Sequence, residues 1–276
     1  MTSPASLAEA LRALASDPGM VPIAGCTDLM VADPVRRLAM GAVLDLTRIP
    51  ELQGIAEADG WIEIGAATTF LALGEAPLVE TVFPALAAAA RVVGGWQIQC
   101  RATIGGNVAN ASPAGDSLPV LLALGARLVL AGTAGEREIP YEEFHVGYRK
   151  TALRRGEIVA RVRLPRPAAG TVQAFRKVGT REALSISKVV VAMAGRVEGG
   201  AIAALRLAAG SVAPVPVRLR AAEEAAIGRP PGAETAERAA RAAAAAVEPI
   251  DDVRSTAEYR RWALERVVRR MVMELR

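Results

Sequence analysis

A polar stretch rich in glycine and asparagine interrupts the chain at residues 102–119, between apolar segments that have the pattern of regular structure. Its centre carries the adjacent glycines Gly105 and Gly106, followed by Asn107 and Asn110. Glycine lets a backbone approach a ligand closely, and hydroxyl and amide side chains supply neutral hydrogen bonds, which suits a phosphate or ribose better than a metal. The same residue types also build ordinary turns. Composition alone therefore leaves a ligand cradle and a plain polar connection equally open.

A second candidate loop lies near the N-terminus, where a short apolar strand beginning at Val21 leads into Ala24-Gly25-Cys26-Thr27-Asp28-Leu29. Thr27 or Asp28 can cap the helix that follows, and the free N–H groups at a helix start favour an anion. The sequence contains neither the dinucleotide fingerprint Gly-x-Gly-x-x-Gly nor the phosphate loop Gly-x-x-x-x-Gly-Lys-[Ser/Thr]. Two loops of this kind favour one long ligand held at both ends.

The second loop, taken with the residues before it, is Gln97-Ile98-Gln99-Cys100-Arg101-Ala102-Thr103-Ile104-Gly105-Gly106-Asn107, followed by Ala111-Ser112-Pro113 and Asp116. Both loops resemble those of the FAD-binding subunit or domain of molybdenum hydroxylases. In that family they read approximately Ala-Gly-Gly-Thr-Asp-Leu and Gln-Ile-Arg-Asn-x-Ala-Thr-Ile-Gly-Gly-Asn. The family includes the medium subunit of carbon monoxide dehydrogenase and the flavin domain of xanthine dehydrogenase. Further matches follow in order at 64–69, 144–151, 175–177 and 252–261, so the resemblance covers nearly the whole chain.

The resemblance implies an α+β fold. We expect a two-part FAD-binding domain of the vanillyl-alcohol-oxidase/PCMH type, made of an N-terminal α/β subdomain at 1–53 and a central α+β subdomain at 54–168. A C-terminal α+β domain at 169–276, with a three-stranded sheet and helices, would resemble that of the carbon monoxide dehydrogenase flavoprotein.

The remaining sequence pattern fits such a fold. Before the central unit, the order is helix, short strand, helix, strand. Asp59-Gly60 predicts a hairpin turn, because left-handed residues match the twist of two paired strands. Strands are predicted at 42–46, 127–130, 157–164, 171–178, 186–197 and 201–208, and helices at 84–93, 118–124 and 255–275.

The last predicted helix is amphipathic. Its apolar positions recur at roughly helical spacing and its arginines fall on the other faces. The apolar set is Tyr259, Trp262, Val267, Met271 and Leu275, and the other set is Arg260, Arg261, Arg269 and Arg270. We expect this helix to pack on its own core, and docking of a partner is the alternative.

The resemblance places non-covalently bound FAD against residues from five parts of the chain. They are Ile23, Ala24, Gly25, Cys26, Thr27, Asp28, Leu29, Val93, Gly94, Ala102, Thr103, Gly105, Gly106, Asn107, Ala109, Asn110, Asp116, Ile158, Val159 and Lys177. Backbone N–H groups of residues 24–28 and 105–107 are expected to bind the pyrophosphate, assisted by threonine and asparagine side chains.

Several of these residues have a plainer alternative. Asp116 would accept hydrogen bonds from sugar hydroxyls, or only cap the following helix, and Asp28 has the same capping alternative. Lys177 would stabilise reduced flavin or a pyridine nucleotide, or be a solvated strand lysine. The apolar residues expected at the flavin head would otherwise be ordinary core residues. They are Leu29, Val93, Ile158 and Val159.

The two cysteines depart from the family pattern. Cys26 stands where the family mostly has glycine, which costs little if its φ is negative and about 1–2 kcal/mol if it is left-handed. Gln99 and Cys100 replace the usual arginine and asparagine. These changes weaken FAD binding or are compensated locally, and we expect both thiols to be chemically inert.

No side chain has the pattern of a catalytic acid, base or nucleophile. The resemblance implies an oxidoreductase subunit in which the flavin does the redox chemistry. Electrons would come from iron–sulfur clusters on a small partner, substrate would be oxidised on a large molybdopterin partner, and NAD or a quinone would accept the electrons. The alternative is a flavin-less or standalone relative that acts as a binding or assembly module.

Composition argues against several other functions. The net charge of +4 comes from dispersed arginines, which does not support nucleic-acid binding. Two cysteines and one histidine make a protein-only metal site or iron–sulfur cluster improbable. No apolar run approaches the length of a membrane span, and the N-terminus lacks the pattern of a signal peptide. We therefore expect a cytoplasmic protein.

Overall fold

The first unit of the chain is a small α/β layer. The computed structural model describes residues 1–17, 19–31, 41–181 and 184–275. Helix α1 (Leu7–Ser16) is followed by strand β1 (Val21–Ile23), helix α2 (Thr27–Val31) and strand β2 (Val43–Asp45). The strands pair in parallel, with Val21 opposite Val43, so the loops that follow them leave the same edge. The predicted order of helix, strand, helix and strand is confirmed.

The central unit is built on an antiparallel sheet. Its described strands lie in the order β3-β4-β9-β5-β6, with bounds β3 (Ile55–Ala58), β4 (Trp61–Gly65), β5 (Arg127–Gly132), β6 (Gly135–Pro140) and β9 (Ile158–Pro165). The hairpin turn between β3 and β4 is confirmed, since Asp59 and Gly60 have φ of 51° and 78°. No predicted strand corresponds to β6.

Short helices pack against this sheet. They are α3 (Phe70–Glu75), α4 (Pro77–Val82), α5 (Pro84–Ala90), α6 (Trp96–Gln99), α7 (Ile104–Asn110) and α8 (Ser117–Leu124). Every residue of α8 is buried. One apolar cluster runs through α8 and joins Leu128 of the central sheet to Val190 and Ala208 of the last unit. Beside the helices, β7 (His145–Gly147) and β8 (Lys150–Thr151) form a short antiparallel ribbon.

The last unit is an antiparallel sheet covered by helices. Its described strands, in order, are β10 (Val172–Val178), β11 (Val189–Glu198), β12 (Ala201–Gly210) and β13 (Val217–Arg218). The expected three strands are present, and the two-residue β13 adds a fourth because it pairs with Ala208 and Ala209. Helices α9 (Arg220–Ala226), α10 (Ala233–Ala245) and α11 (Ala257–Glu274) complete the unit.

The C-terminal helix α11 packs on its own core, as expected, through Val268 and Met271. Three placements on this helix were wrong. Tyr259 and Trp262 are 38% and 53% exposed, whereas Arg260 is only 4% exposed. The Arg260 guanidinium is buried because it donates to the carbonyl oxygens of Lys188 and Ser211, both at 2.9 Å. Among the described helices, none is both long and apolar enough to cross a membrane.

Candidate functional site: two glycine loops in contact

The loop after β1 packs directly against the residues that precede α7. Gly25 has no room for a side chain, since a Cβ there would lie 1.9 Å from the Arg101 carbonyl oxygen and 2.9 Å from the Ala102 Cα. Glycine at this position therefore permits a close backbone approach. The two glycine loops predicted from the sequence meet in space, although they are far apart along the chain.

The backbone donors of the first loop have no partner among the described residues. Helix α2 begins at Thr27, so Thr27 and Asp28 lie in its first turn, and the prediction that one of them precedes and caps the helix is wrong. The carbonyl of Cys26 instead accepts the first helical hydrogen bond, from Met30 N–H at 2.9 Å. Between described residues, no hydrogen bond uses the N–H groups of residues 24–28. These donors at a helix start are suited to an anion.

The backbone N–H groups of residues 105–107 in the second loop all donate to acceptors within the protein. Gly105 N–H donates to the Ala66 carbonyl oxygen at 2.9 Å, and Asn107 N–H donates to the Thr103 carbonyl oxygen at 2.9 Å. Thr103 also caps α7, since its Oγ1 accepts from Gly106 N–H at 3.1 Å. The expectation that residues 105–107 offer free N–H groups is therefore wrong for this conformation.

Helix α7 instead presents a nearly smooth surface beside the first loop. Gly106 and Ala109 are exposed, and Asn107 and Asn110 are half-buried. A Cβ on Gly105 would lie 2.4 Å from the Ala66 Cβ, so this glycine seats the helix on the end of β4. The outer side of α7 is accordingly open to a ligand that follows the loop.

A polar network leads from α7 to the last unit. Ser117 Oγ donates to Asn107 Oδ1 at 2.8 Å, and the neighbouring Asp116 carboxylate lies 2.6 Å from Lys177 Nζ. Lys177, on β10, also donates to the Val92 carbonyl oxygen at 3.1 Å, and Ser187 Oγ donates to Asp116. The predicted residues Val93, Gly94, Asp116 and Lys177 thus share one neighbourhood.

Both plain alternatives for this ion pair are wrong. The Asp116 side chain makes no capping hydrogen bond to α8, and the Lys177 side chain is 7% exposed and not solvated. Burial raises the pKa of Asp116, and the charge of Lys177 and the hydrogen bonds from Lys177 and Ser187 oppose that rise. The carboxylate is bound within the protein because Lys177 of β10 and Ser187, in the segment before β11, both donate to it.

The apolar positions expected at the flavin head divide into two groups. Ile158 and Val159 are 4% and 5% exposed and lie in apolar cores, so their side chains fit the interpretation as ordinary core residues. Leu29 and Val93 are half-buried. Gly94 has φ of 58° and lies against Ile98, so the turn before α6 is tight.

Arg149 was not predicted as a site residue, yet it contacts both loops. It lies in the turn between β7 and β8, with Nη1 3.0 Å from Asn110 Oδ1 and 3.5 Å from Asp28 Oδ2. The sequence held one signal, since Arg149 falls within the family match at 144–151.

Both cysteines are free thiols close to the second loop. Cys26 has φ of 60°, which is the strained, left-handed case. Its thiol lies 3.4 Å from the Ala24 carbonyl oxygen, and burial raises its pKa. Cys100 ends α6 in an ordinary right-handed conformation, so it carries no comparable strain. A cavity of about 450 Å³ adjoins this region, lined by Cys100, Arg101 and Thr103 among others.

Comparison with known proteins identifies the family of the chain. The model of the FAD binding domain in molybdopterin dehydrogenase matches residues 1–167, and that of the CO dehydrogenase flavoprotein C-terminal domain matches residues 173–275. The xanthine dehydrogenase FAD-binding subunit of Escherichia coli O157:H7 is 33% identical over 98% of this chain and 93% of that protein. The carbon monoxide dehydrogenase medium chain of Hydrogenophaga pseudoflava is 32% identical over 97% and 93%, respectively.

Solved structures show the same fold. Carbon monoxide dehydrogenase from Hydrogenophaga pseudoflava superposes with a TM-score of 0.92 at 33% identity, covering 98% of this chain and 94% of that one. Quinoline 2-oxidoreductase from Pseudomonas putida 86 gives 0.93 at 27% identity, covering 99% and 95%. Fold and family matches together define a flavoprotein with an α+β architecture. The chain belongs to the FAD-binding subunits of the molybdenum hydroxylase family, an oxidoreductase family, and its cofactor is FAD.

Proposed function

We propose that this chain is the electron-transfer subunit of a cytoplasmic molybdenum hydroxylase. It would receive electrons from iron–sulfur clusters of a small partner subunit and deliver them to an external acceptor such as NAD or a quinone. A large molybdopterin subunit would oxidise the substrate. Bound FAD supplies the ability to accept and release electrons, while the protein binds and orients it. The relatives are named for three different substrates, xanthine, carbon monoxide and quinoline, although their FAD-binding chains are similar to this one. The substrate would therefore be selected by the large subunit.

The observation that carries the proposal is the contact between the two glycine loops at Gly25 and Arg101. Around it, the N–H groups of residues 24–28 would bind the pyrophosphate and the open side of α7 would hold the adjoining part of FAD. Val93 and Gly94, beside the Asp116–Lys177 pair, would lie near the flavin head. We propose subdomain limits of 1–53 and 54–168, and a C-terminal domain at 169–276.

A single substitution tests where FAD lies. Gly106 is exposed, and among described atoms a Cβ there would meet Thr103 Oγ1 alone, at 2.9 Å. In Gly106→Leu the new side chain would project into the proposed cradle and crowd the Thr103 hydroxyl, so we expect loss of flavin absorbance from the purified chain, and a thermal melt checks that the variant is folded. Ala245→Leu, at an exposed position of α10, is the matched control and keeps its flavin.

Two results would overturn the proposal in different ways. A Gly106→Leu variant that retains stoichiometric FAD would mean that α7 does not hold the cofactor. A colourless wild-type chain that takes up no added FAD would remove the electron-transfer role altogether.

A separate experiment identifies the electron acceptor. The complex is reduced anaerobically, and the rates of flavin reoxidation by NAD and by a quinone are compared.

A further inference from the structure

We infer that Arg149 is a positioning residue for FAD, which joins the two halves of the site and neutralises Asp28. The inference rests on the proposed function, because it concerns the binding of FAD between the two loops. It assigns a role to a side chain outside the glycine loops and outside the flavin head.

The geometry places one guanidinium against two segments, α2 and α7. Arg149 lies in a two-residue turn, since Gly147 pairs with Lys150 across the ribbon. Its Nη1 is 3.0 Å from the side-chain oxygen of Asn110, at the end of α7. The same nitrogen is 3.5 Å from an Asp28 carboxylate oxygen, in the first turn of α2. Arg149 therefore ties α2 to α7 across the site.

The charge of Asp28 gives this contact a functional meaning. Asp28 is 55% exposed, and it lies in the turn whose free N–H groups would bind a pyrophosphate. A bare carboxylate there would repel such an anion, and its effect would extend over about 10 Å at ordinary salt. Arg149 supplies the opposite charge, so the first loop can keep an acidic residue and still attract an anionic ligand.

The backbone at Arg149 is unfavourable for arginine. Its φ is 50°, a left-handed conformation at a turn position that usually carries glycine or asparagine. A residue that breaks a local rule at the edge of a site is expected where the side chain has a role. This conformation also allows a clean experiment, because Arg149→Gly removes the guanidinium without straining the turn.

The test is a set of FAD titrations on the deflavinated full-length chain. Arg149→Gly should weaken FAD binding about tenfold, the size of one screened charge interaction. Asp28→Asn should bind FAD at least as tightly as the wild type. In the double variant, Asp28→Asn should restore binding to within about threefold of the wild type, because the repulsive carboxylate is gone. The loss in Arg149→Gly should shrink at high salt.

The control is Lys150→Ala, which removes the adjacent cation of the same ribbon; Lys150 makes no ion pair in the described part of the chain. It should bind FAD like the wild type. Wild-type affinity in Arg149→Gly would overturn the inference and leave the proposed function standing. Failure of Asp28→Asn to rescue Arg149→Gly would show that Arg149 does not act through Asp28. A wild-type chain that binds no FAD would overturn both proposals.

Discussion

Replacing Cys26 by glycine should stabilise the protein, because the residue occupies a left-handed conformation with φ of 60°. A Cβ in that conformation costs about 1–2 kcal/mol relative to glycine. The greater freedom of glycine in the unfolded chain offsets roughly 0.5–1 kcal/mol of the gain. The thiol contact to the Ala24 carbonyl oxygen is 3.4 Å long and adds little. The free energy of unfolding should therefore rise by about 0.5–1 kcal/mol.

The assay is a thermal melt of the deflavinated chain, where bound FAD cannot mask the change. A gain of this size corresponds to an upward shift of the midpoint of about 1–3 °C. Cys26→Ala is the matched control, since it removes the thiol and keeps the Cβ. It should melt within about 1 °C of the wild type, because the strain remains.

A lower midpoint for Cys26→Gly would refute the strain argument. An equal rise in Cys26→Ala would place the effect in the thiol and not in the backbone. The glycine variant should also bind FAD at least as well as the wild type, because the N–H groups of residues 24–28 stay in place. Weaker binding would mean that the Cys26 side chain contacts the cofactor.

Two more substitutions test side chains that contact backbone carbonyl groups. Burial lowers the pKa of His145, whose Nε2 lies 3.0 Å from the Val108 carbonyl oxygen of α7. Because the folded-state pKa is below the unfolded value of about 6.5, stability is full above that pH and falls as the pH drops below it. His145→Gln should flatten this dependence in urea unfolding between about pH 7 and 5, and an unchanged slope would contradict it. Arg260→Ala should lower the free energy of unfolding by about 3 kcal/mol, because two carbonyl groups and Asp252 lose their donor. The control Arg261→Ala, at an exposed position, should lower it by less than about 0.5 kcal/mol. Equal urea midpoints for the two variants would refute the stabilising role of the buried Arg260 guanidinium.

The position of both loops could be predicted from the sequence, but not which of their donors stay free. Glycine and asparagine content marks where a backbone can approach a ligand. The partner of Gly105 N–H is the Ala66 carbonyl oxygen, at the end of a strand that precedes α7 by several helices. Such a pairing depends on how the helix sits on the sheet. Only the folded structure shows that the N–H groups of residues 24–28 have no partner among the described residues.

Strand β6 was missed because it lacks the usual apolar alternation. Its residues Glu136, Arg137 and Glu138 look like a polar loop. On the sheet, the two glutamates pair with Arg127 of the adjacent strand β5 and with Arg161 and Arg163 of β9, the strand beyond it. Cross-strand charge pairs therefore replace a buried face, and they can be recognised only once the register is known.

The Asp116–Lys177 pair explains why the cofactor region depends on the C-terminal unit. Asp116 precedes α8, a wholly buried helix, and its side chain is 9% exposed. Without a cation, a carboxylate in that position would be costly or would take up a proton.

The cation comes from Lys177 of β10, and the same Nζ donates to the Val92 carbonyl oxygen beside Val93 and Gly94. One lysine thus compensates a buried charge and fixes the turn expected at the flavin head. A FAD-binding region cut off before β10 would lose both contacts, so the two matched domains act as one structural unit at this site.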